Sequence, residues 1–212
     1  MIIGLTKTEA MDSGIYTYQF VAGNLALDFV NTVAFRADPE KKRDRLQRAE
    51  DVHRWACDAR LPDWPASGSG PRMGPVALRH VRAVREQLFA VFHAIASGDP
   101  IPAGTLARVG NAFQDCCAKR HLSTDDAEVR WGGRASARCT DYLLYPVLTA
   151  ATDLLTSGSR DLVRQCDGAG CGWLFLDRSN ARRRRWCSMT DCGNRNKARN
   201  YYQREAADKD FL

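Results

Sequence analysis

The sequence predicts an α+β protein in two parts: a mainly helical N-terminal domain with one small β-hairpin, residues 15–158, and a compact four-cysteine module, residues 161–206. Three observations lead there. Ala77, Val81, Val84, Leu88, Val91 and Ile95 recur at steps of four and three, which draws one apolar seam along a long helix. Four cysteines form two matched pairs, Cys166/Cys171 and Cys187/Cys192, with four residues inside each pair and fifteen between the pairs. The positive charge is segregated: residues 163–205 hold ten of the 31 Lys and Arg and four of the 25 Asp and Glu, a difference equal to the net +6 of the chain. The remaining residues, twenty-one of each sign, sum to zero, so a polyanionic partner is expected for the cysteine segment and not for the body.

At 212 residues and 44% hydrophobic the chain can bury a core, while a unit of roughly 40 residues needs a staple. The opening MIIGLTKTEAMDSG lacks a charged start followed by an apolar run, so no signal peptide is expected, and Met11 is an alternative start. No stretch approaches the about 20 apolar residues that span a bilayer. A cytoplasmic, nucleoid-associated protein is expected, in which thiols stay reduced and clustered cysteines bind metal more often than they pair.

Ile15–Ala22 has the β-branched and aromatic content of a strand, and Asn24 caps a helix through NLALDFVNTV. Asn24, Asp28 and Asn31 stand at i, i+4 and i+7, a polar stripe with two readings: a cap plus side chains bonded to nearby backbone, or, with Arg36 as an anion partner, the wall of a small-ligand pocket. After a charged connection, Arg45–Arg60 returns to helical spacing with Leu46, Ala49, Val52 and Ala56 inward and His53 and Trp55 as packing. Leu61–Pro75, rich in Pro, Gly and Ser, is a loop. Pro75 suits the first turn of the seam helix, which ends before Gly98. Thr105–His121 makes another helix with Leu106, Val109, Phe113 and Cys117 facing in, and Cys57, Cys116, Cys117 and Cys139 read as buried small hydrophobes. Leu122–Ser136 suggests a hairpin turning at Gly132-Gly133. Asp141–Thr156 is a helix that Pro146 should begin, bend or split, and Ser157-Gly158-Ser159 marks the domain boundary. No Ser/His/Asp set, Walker loop or glycine fingerprint appears, so no catalytic residues are assigned and a non-enzyme is expected.

In the cysteine segment, Gly168, Gly170 and Gly172 let a tight turn aim Cys166 and Cys171 at one point. A strand at Asp161–Gln165, one at Trp173–Leu176 and a returning strand at Arg182–Trp186 bring Cys187 back. Thr190 can cap a helix from Asp191, which places Cys192 in its first turn. Knuckle, hairpin and helix make a treble-clef-like zinc finger. Four thiolates close a tetrahedron with no open position, so one structural zinc is expected, bound by Cys166, Cys171, Cys187 and Cys192. Such a site is dianionic, so some nearby arginines can serve the metal and not a partner.

Cys192-Gly193-Asn194-Arg195 with Lys197, preceded by Arg185-Trp186-Cys187-Ser188-Met189, resembles the CGNR zinc finger. Gly23-Asn24-Leu25-Ala26-Leu27-Asp28-Phe29-Val30-Asn31-Thr32 resembles the opening of the ABATE domain that usually accompanies it. The resemblance implies a bacterial stress-induced transcription regulator whose finger binds DNA and whose larger domain has a sensory role. On the final helix Arg195, Arg199 and Tyr202 form one stripe and Asn196, Asn200 and Gln203 another, a surface suited to base edges in a major groove. With Asn194, Lys197 and Arg182, Arg183, Arg184 and Arg185, whose alternate members on a strand face opposite ways, these are the expected nucleic-acid contacts. Single-stranded RNA is an alternative partner. A homodimer and a small-molecule effector are expectations for the body. A further alternative makes the body an enzyme-like pocket around Asn24, Asp28, Asn31 and Arg36, with the finger docking a protein.

Overall fold

Asn24 starts the first helix. Its backbone is extended and its side-chain oxygen accepts from the Ala26 and Leu27 N–H groups, so helix α1, Leu25–Val30, is capped as the sequence suggests. The computed structural model describes residues 17–62, 64, 73–125, 128–133 and 139–209, with the side chains of Asp125, Arg130, Cys139 and residues 206–209 left out. Ile15, the loop 65–72 and the burial of Cys139 therefore lie outside the described residues. The strand expected over Ile15–Ala22 is corrected: residues 17–22 are irregular. Tyr18 explains why, because its ring is buried and its hydroxyl donates to the carbonyls of Arg45 (2.9 Å) and Asp51 (3.1 Å), anchoring the segment by a side chain in place of a ladder.

After α1 the chain leaves the helix at Asn31, and strand β1, Val33–Ala34, pairs antiparallel with β2, Arg43–Asp44. Helix α2 is Ala49–Asp58, started by the Asp51 carboxylate, which accepts from the Gln47 (3.0 Å) and Arg48 (2.8 Å) N–H groups. Helix α3, Pro75–Ser97, has its proline in the first turn and stops at Gly98 in the left-handed region, φ 74°. Its seam is buried at Val81, Val84, Leu88 and Val91. Among these lies Arg85, 2% exposed, which forks onto Asp44 (both 2.7 Å), reaches Glu86 (2.8 Å) and so fastens α3 to β2.

Helix α4, Ala103–Cys117, buries Val109 and Cys116 and half-buries Ala112 and Phe113. Leu106 and Cys117 are exposed, a correction to the inward face: the stripe runs through 109, 112 and 116, at spacings of three and four, and leaves both at its edge. The hairpin exists, but its turn is elsewhere. Strand β3, Arg120–Asp125, pairs with β4, Glu128–Gly133, and Gly132 lies opposite His121, so the glycines end a strand and the ladder closes at the pair Asp125–Glu128. A Cβ on Gly132 would meet Ser123 Oγ at 3.1 Å and the His121 ring at 3.2 Å, which is the use made of that glycine. Helix α5, Cys139–Thr156, contains Pro146 without being divided by it. No described helix is long and apolar enough to cross a membrane.

Ser157 caps a short 3-10 turn, Gly158–Leu162, and strands β5, Val163–Gln165, and β6, Leu174–Leu176, follow as an antiparallel ribbon. This ribbon packs on α3, and β6 also meets α1, while α1, α3 and α5 pack on one another. Leu174, Phe175 and Leu176 thus share one hydrophobic cluster with Leu27, Phe29, Leu88 and Leu148. The polar stripe serves this arrangement. Asn24 Nδ2 donates to the Ala150 carbonyl (3.2 Å), Asp28 Oδ1 accepts from the Ala22 N–H (3.0 Å), and Asn31 spans Leu174, donating to its carbonyl (2.8 Å) and accepting from its N–H (2.9 Å). Arg36 forks onto Glu86 (2.7 and 3.0 Å) over the Phe89 ring. Backbone-bonded side chains are the arrangement the fold adopts here.

Burial raises the Asp28 carboxyl from 3.8 to about 7. The folded state therefore holds a proton that the unfolded chain releases, and this contribution is complete below about pH 4 and lost as pH rises towards about 7. Asp28→Asn keeps the acceptor for the Ala22 N–H without the charge. Its unfolding free energy should gain on wild type by up to about 4 kcal/mol between those limits. Denaturant titrations of both proteins across that range check this; a constant gap would refute it.

Candidate metal centre

Two glycines shape the knuckle. Gly170 and Gly172 take φ of 70° and 66°, and a Cβ on either would come within 2.8 Å of Asp38 or 2.9 Å of Arg36. That close approach lets the loop after β1 hydrogen-bond to the knuckle, the Arg36 N–H to the Cys171 carbonyl (3.1 Å) and the Ala37 N–H to that of Gly170 (3.3 Å). The Trp173 indole Nε1 donates to the Val33 carbonyl at 2.9 Å. Knuckle and body are thus joined by backbone as well as by core.

The sulfurs of Cys166, Cys171, Cys187 and Cys192 all lie within 4.8 Å of one another, and their residues are 1–6% exposed. Cys171 and Cys187 are 3.8 Å apart and Cys187 and Cys192 3.6 Å. A tetrahedron with Zn–S bonds of about 2.3 Å has edges of about 3.8 Å, whereas a disulfide needs about 2.05 Å. A Cβ on Gly168 would stand 3.0 Å from Cys192 Sγ, so that glycine leaves room for the cluster. The N–H groups of Gly168 (3.4 Å) and Cys187 (3.2 Å) donate to Cys166 Sγ, and Arg195 Nη2 donates to Cys192 Sγ at 2.9 Å. Donors of this kind hold thiolates. Hydrogen bonds from Cys171 and Cys187 pull the Cys166 thiol down to about 7, and its three neighbours and Arg195 pull Cys192 down. Cys166 in turn pushes up Cys171, and Cys166 and Cys171 push up Cys187. A dication bound here would displace any remaining thiol protons.

The four-cysteine set fits one structural zinc, since every ligand is a thiolate and all are buried. Such a zinc would supply a fixed dicationic centre; the chain's own part is to supply the donors and balance the charge. Arg195 does the second. Arg195→Ala should lower zinc affinity by about 10–100-fold, read by competition with a chromophoric chelator. An unchanged affinity would remove Arg195 from the site.

The returning strand expected at Arg182–Trp186 is irregular chain, with Arg182 itself at φ 48°. Its arginines divide their tasks, though not by alternation. Arg184 turns inward over the Phe175 ring and donates to the carbonyls of Trp186 (2.9 Å), Val21 (3.1 Å) and Cys187. Arg185 pairs with Asp167 of the knuckle at 2.8 Å. Arg182 and Arg183 are exposed. Ser188, and not Thr190, caps the last element by accepting from the Asp191 N–H, because the chain enters through a π-helical turn, Met189–Gly193, that carries Cys192. Helix α6, Asn194–Lys209, continues it with Asn194, Arg195, Lys197, Arg199, Asn200 and Gln203 exposed and Asn196 half-buried. Sequence reasoning missed Asp177, which accepts from the N–H groups of Ser179 (3.0 Å) and Arg184 (2.9 Å), and Arg45, which stands over Trp173 near Cys171 with its guanidinium lowered to about 10 by burial. The Asp-x-Ser of residues 177–179 was a readable signal; Arg45 offered none.

Site and fold define a class: a helical body built around a structural four-cysteine zinc finger. Residues 163–205 match the CGNR zinc finger model, and residues 23–158 match that of ABATE, described as "Putative stress-induced transcription regulator". The chain belongs to the ABATE family and carries a CGNR zinc finger. No curated protein matches it. Both matched families are regulator and finger families, not enzyme families.

Proposed function

We propose that this chain is a DNA-binding transcription regulator whose finger contacts the duplex. One observation carries the reading: from Asn194 to Glu205 helix α6 has no buried residue, and it extends from a zinc-pinned frame on which Arg182 and Arg183 also point to solvent. Beyond the contacts of Arg195 with Cys192 and Phe35, a helix polar on every side gains little from packing on its own body, and residues 194–205 carry four Lys or Arg against one Glu. Arginines and amides of this kind suit phosphates and base edges. The body's role in this reading is dimerisation or effector sensing. A cavity of about 500 Å³ beside Trp131, Tyr142 and Tyr145 supports the sensing role.

Zinc-loaded protein should bind duplex DNA with log affinity falling linearly in log salt. If Arg182, Arg183, Lys197 and Arg199 each meet a phosphate, the slope is about −3.6, and affinity falls roughly 100-fold between about 50 and 200 mM salt. Affinity indifferent to salt would sink the proposal. Tyr201 and Tyr202, 59% and 68% exposed, favour single-stranded RNA as the rival, since bases stack on such rings. Stronger competition by single-stranded RNA than by duplex DNA would decide for it.

A further inference from the structure

We propose that the cleft between the zinc knuckle, helix α6 and the loop after β1 seats a backbone phosphate of the nucleic acid, so that the body supplies part of the contact surface through Lys41. The inference rests on the DNA-binding reading above. The cleft has a volume of about 330 Å³, and Lys41 and Phe35 from the body face Gly168 of the knuckle and Arg195, Asn196 and Arg199 of α6 across it. Its lining holds three cations, Lys41, Arg195 and Arg199, and no carboxylate; its one anionic group is the Cys192 thiolate, to which Arg195 donates. Arg195 is engaged with Cys192, which leaves Lys41 and Arg199 to receive an anion. Lys41 also touches Asp38 at 3.1 Å, but its side chain is 69% exposed, and so open an ion pair yields readily to a phosphate.

The loop is held in place for this use. Its N–H groups at 36 and 37 bond the knuckle, and Phe35 takes φ 52°, a left-handed conformation that a bulky residue adopts only where its surroundings enforce it. That turn lays the Phe35 ring 5.1 Å from the Arg195 guanidinium. The charge balance of the sequence hides the arrangement: the residues outside 163–205 sum to zero, yet the fold brings one of their lysines beside the arginines of the finger.

The test is fluorescence anisotropy of the zinc-loaded full chain on a labelled duplex over a salt series, with wild type, Lys41→Ala, Lys41→Arg and Arg183→Ala, after zinc content and circular dichroism have been matched. Lys41→Ala should flatten the log–log slope by about 0.9 and weaken binding at low salt, while Lys41→Arg keeps the wild-type slope. A wild-type slope in Lys41→Ala, with a flattened one in Arg183→Ala, would overturn the cleft and leave the DNA-binding reading standing. Absent or salt-independent binding by wild type would overturn both.

Discussion

Serine in place of Cys187 is expected to abolish zinc retention and to lower the stability of the whole chain, not of the finger alone. Zinc binding is worth roughly 10–16 kcal/mol in isolated finger peptides, as much as an entire domain's net stability of about 5–15 kcal/mol. A zinc held by Cys166 and Cys171 would clamp the turn between β5 and β6, and Leu174 and Phe175 of β6 are fully buried, with β6 packed on α1 and α3. Loss of the ion releases that ribbon and uncovers one side of the core. Metal analysis with thermal melts, monitored at the tryptophans and by far-ultraviolet circular dichroism, reads both effects. A Cys187→Ser protein that melts with wild type would show the body to be independent of the finger.

Asn31→Ala should cost about 2–6 kcal/mol, because it leaves both the N–H and the carbonyl of Leu174 buried and unpaired, at about 1–3 kcal/mol for each. Asn31→Asp separates the two halves, since a carboxylate still accepts from the N–H but cannot donate to the carbonyl. Urea unfolding of the zinc-loaded proteins measures both. A loss below about 1 kcal/mol for the alanine variant would mean that the tie between body and ribbon lies elsewhere.

The features legible in the sequence were those set by local chemistry. Pro75 and Gly98 bounded α3, Asn24 capped α1, and the paired cysteines announced the metal cluster. What escaped was set by partners distant in the chain. Residues 17–22 carry strand-like side chains, yet Tyr18 uses its hydroxyl on Arg45 and Asp51. The run Arg182–Arg185 looked like a strand because arginines are neutral as to conformation; the inward turn of Arg184 follows from the Phe175 ring and the Cys187 carbonyl. Gly132-Gly133 read as a turn, whereas crowding by His121 and Ser123 across the ladder is what a glycine answers there. Arg36 read as an anion partner and Arg85 drew no reading; the two anchor the charged connection to α3 through Glu86 and Asp44.

The bond between Asn31 and Leu174 has a reciprocal side. If bound metal steadies the body through β6, then by linkage a well-packed body must hold the metal more tightly, and by the same free energy. Zinc affinity then becomes a gauge of the helical core: a change that loosens α1 or α3, far from any sulfur, is registered as a weaker metal site.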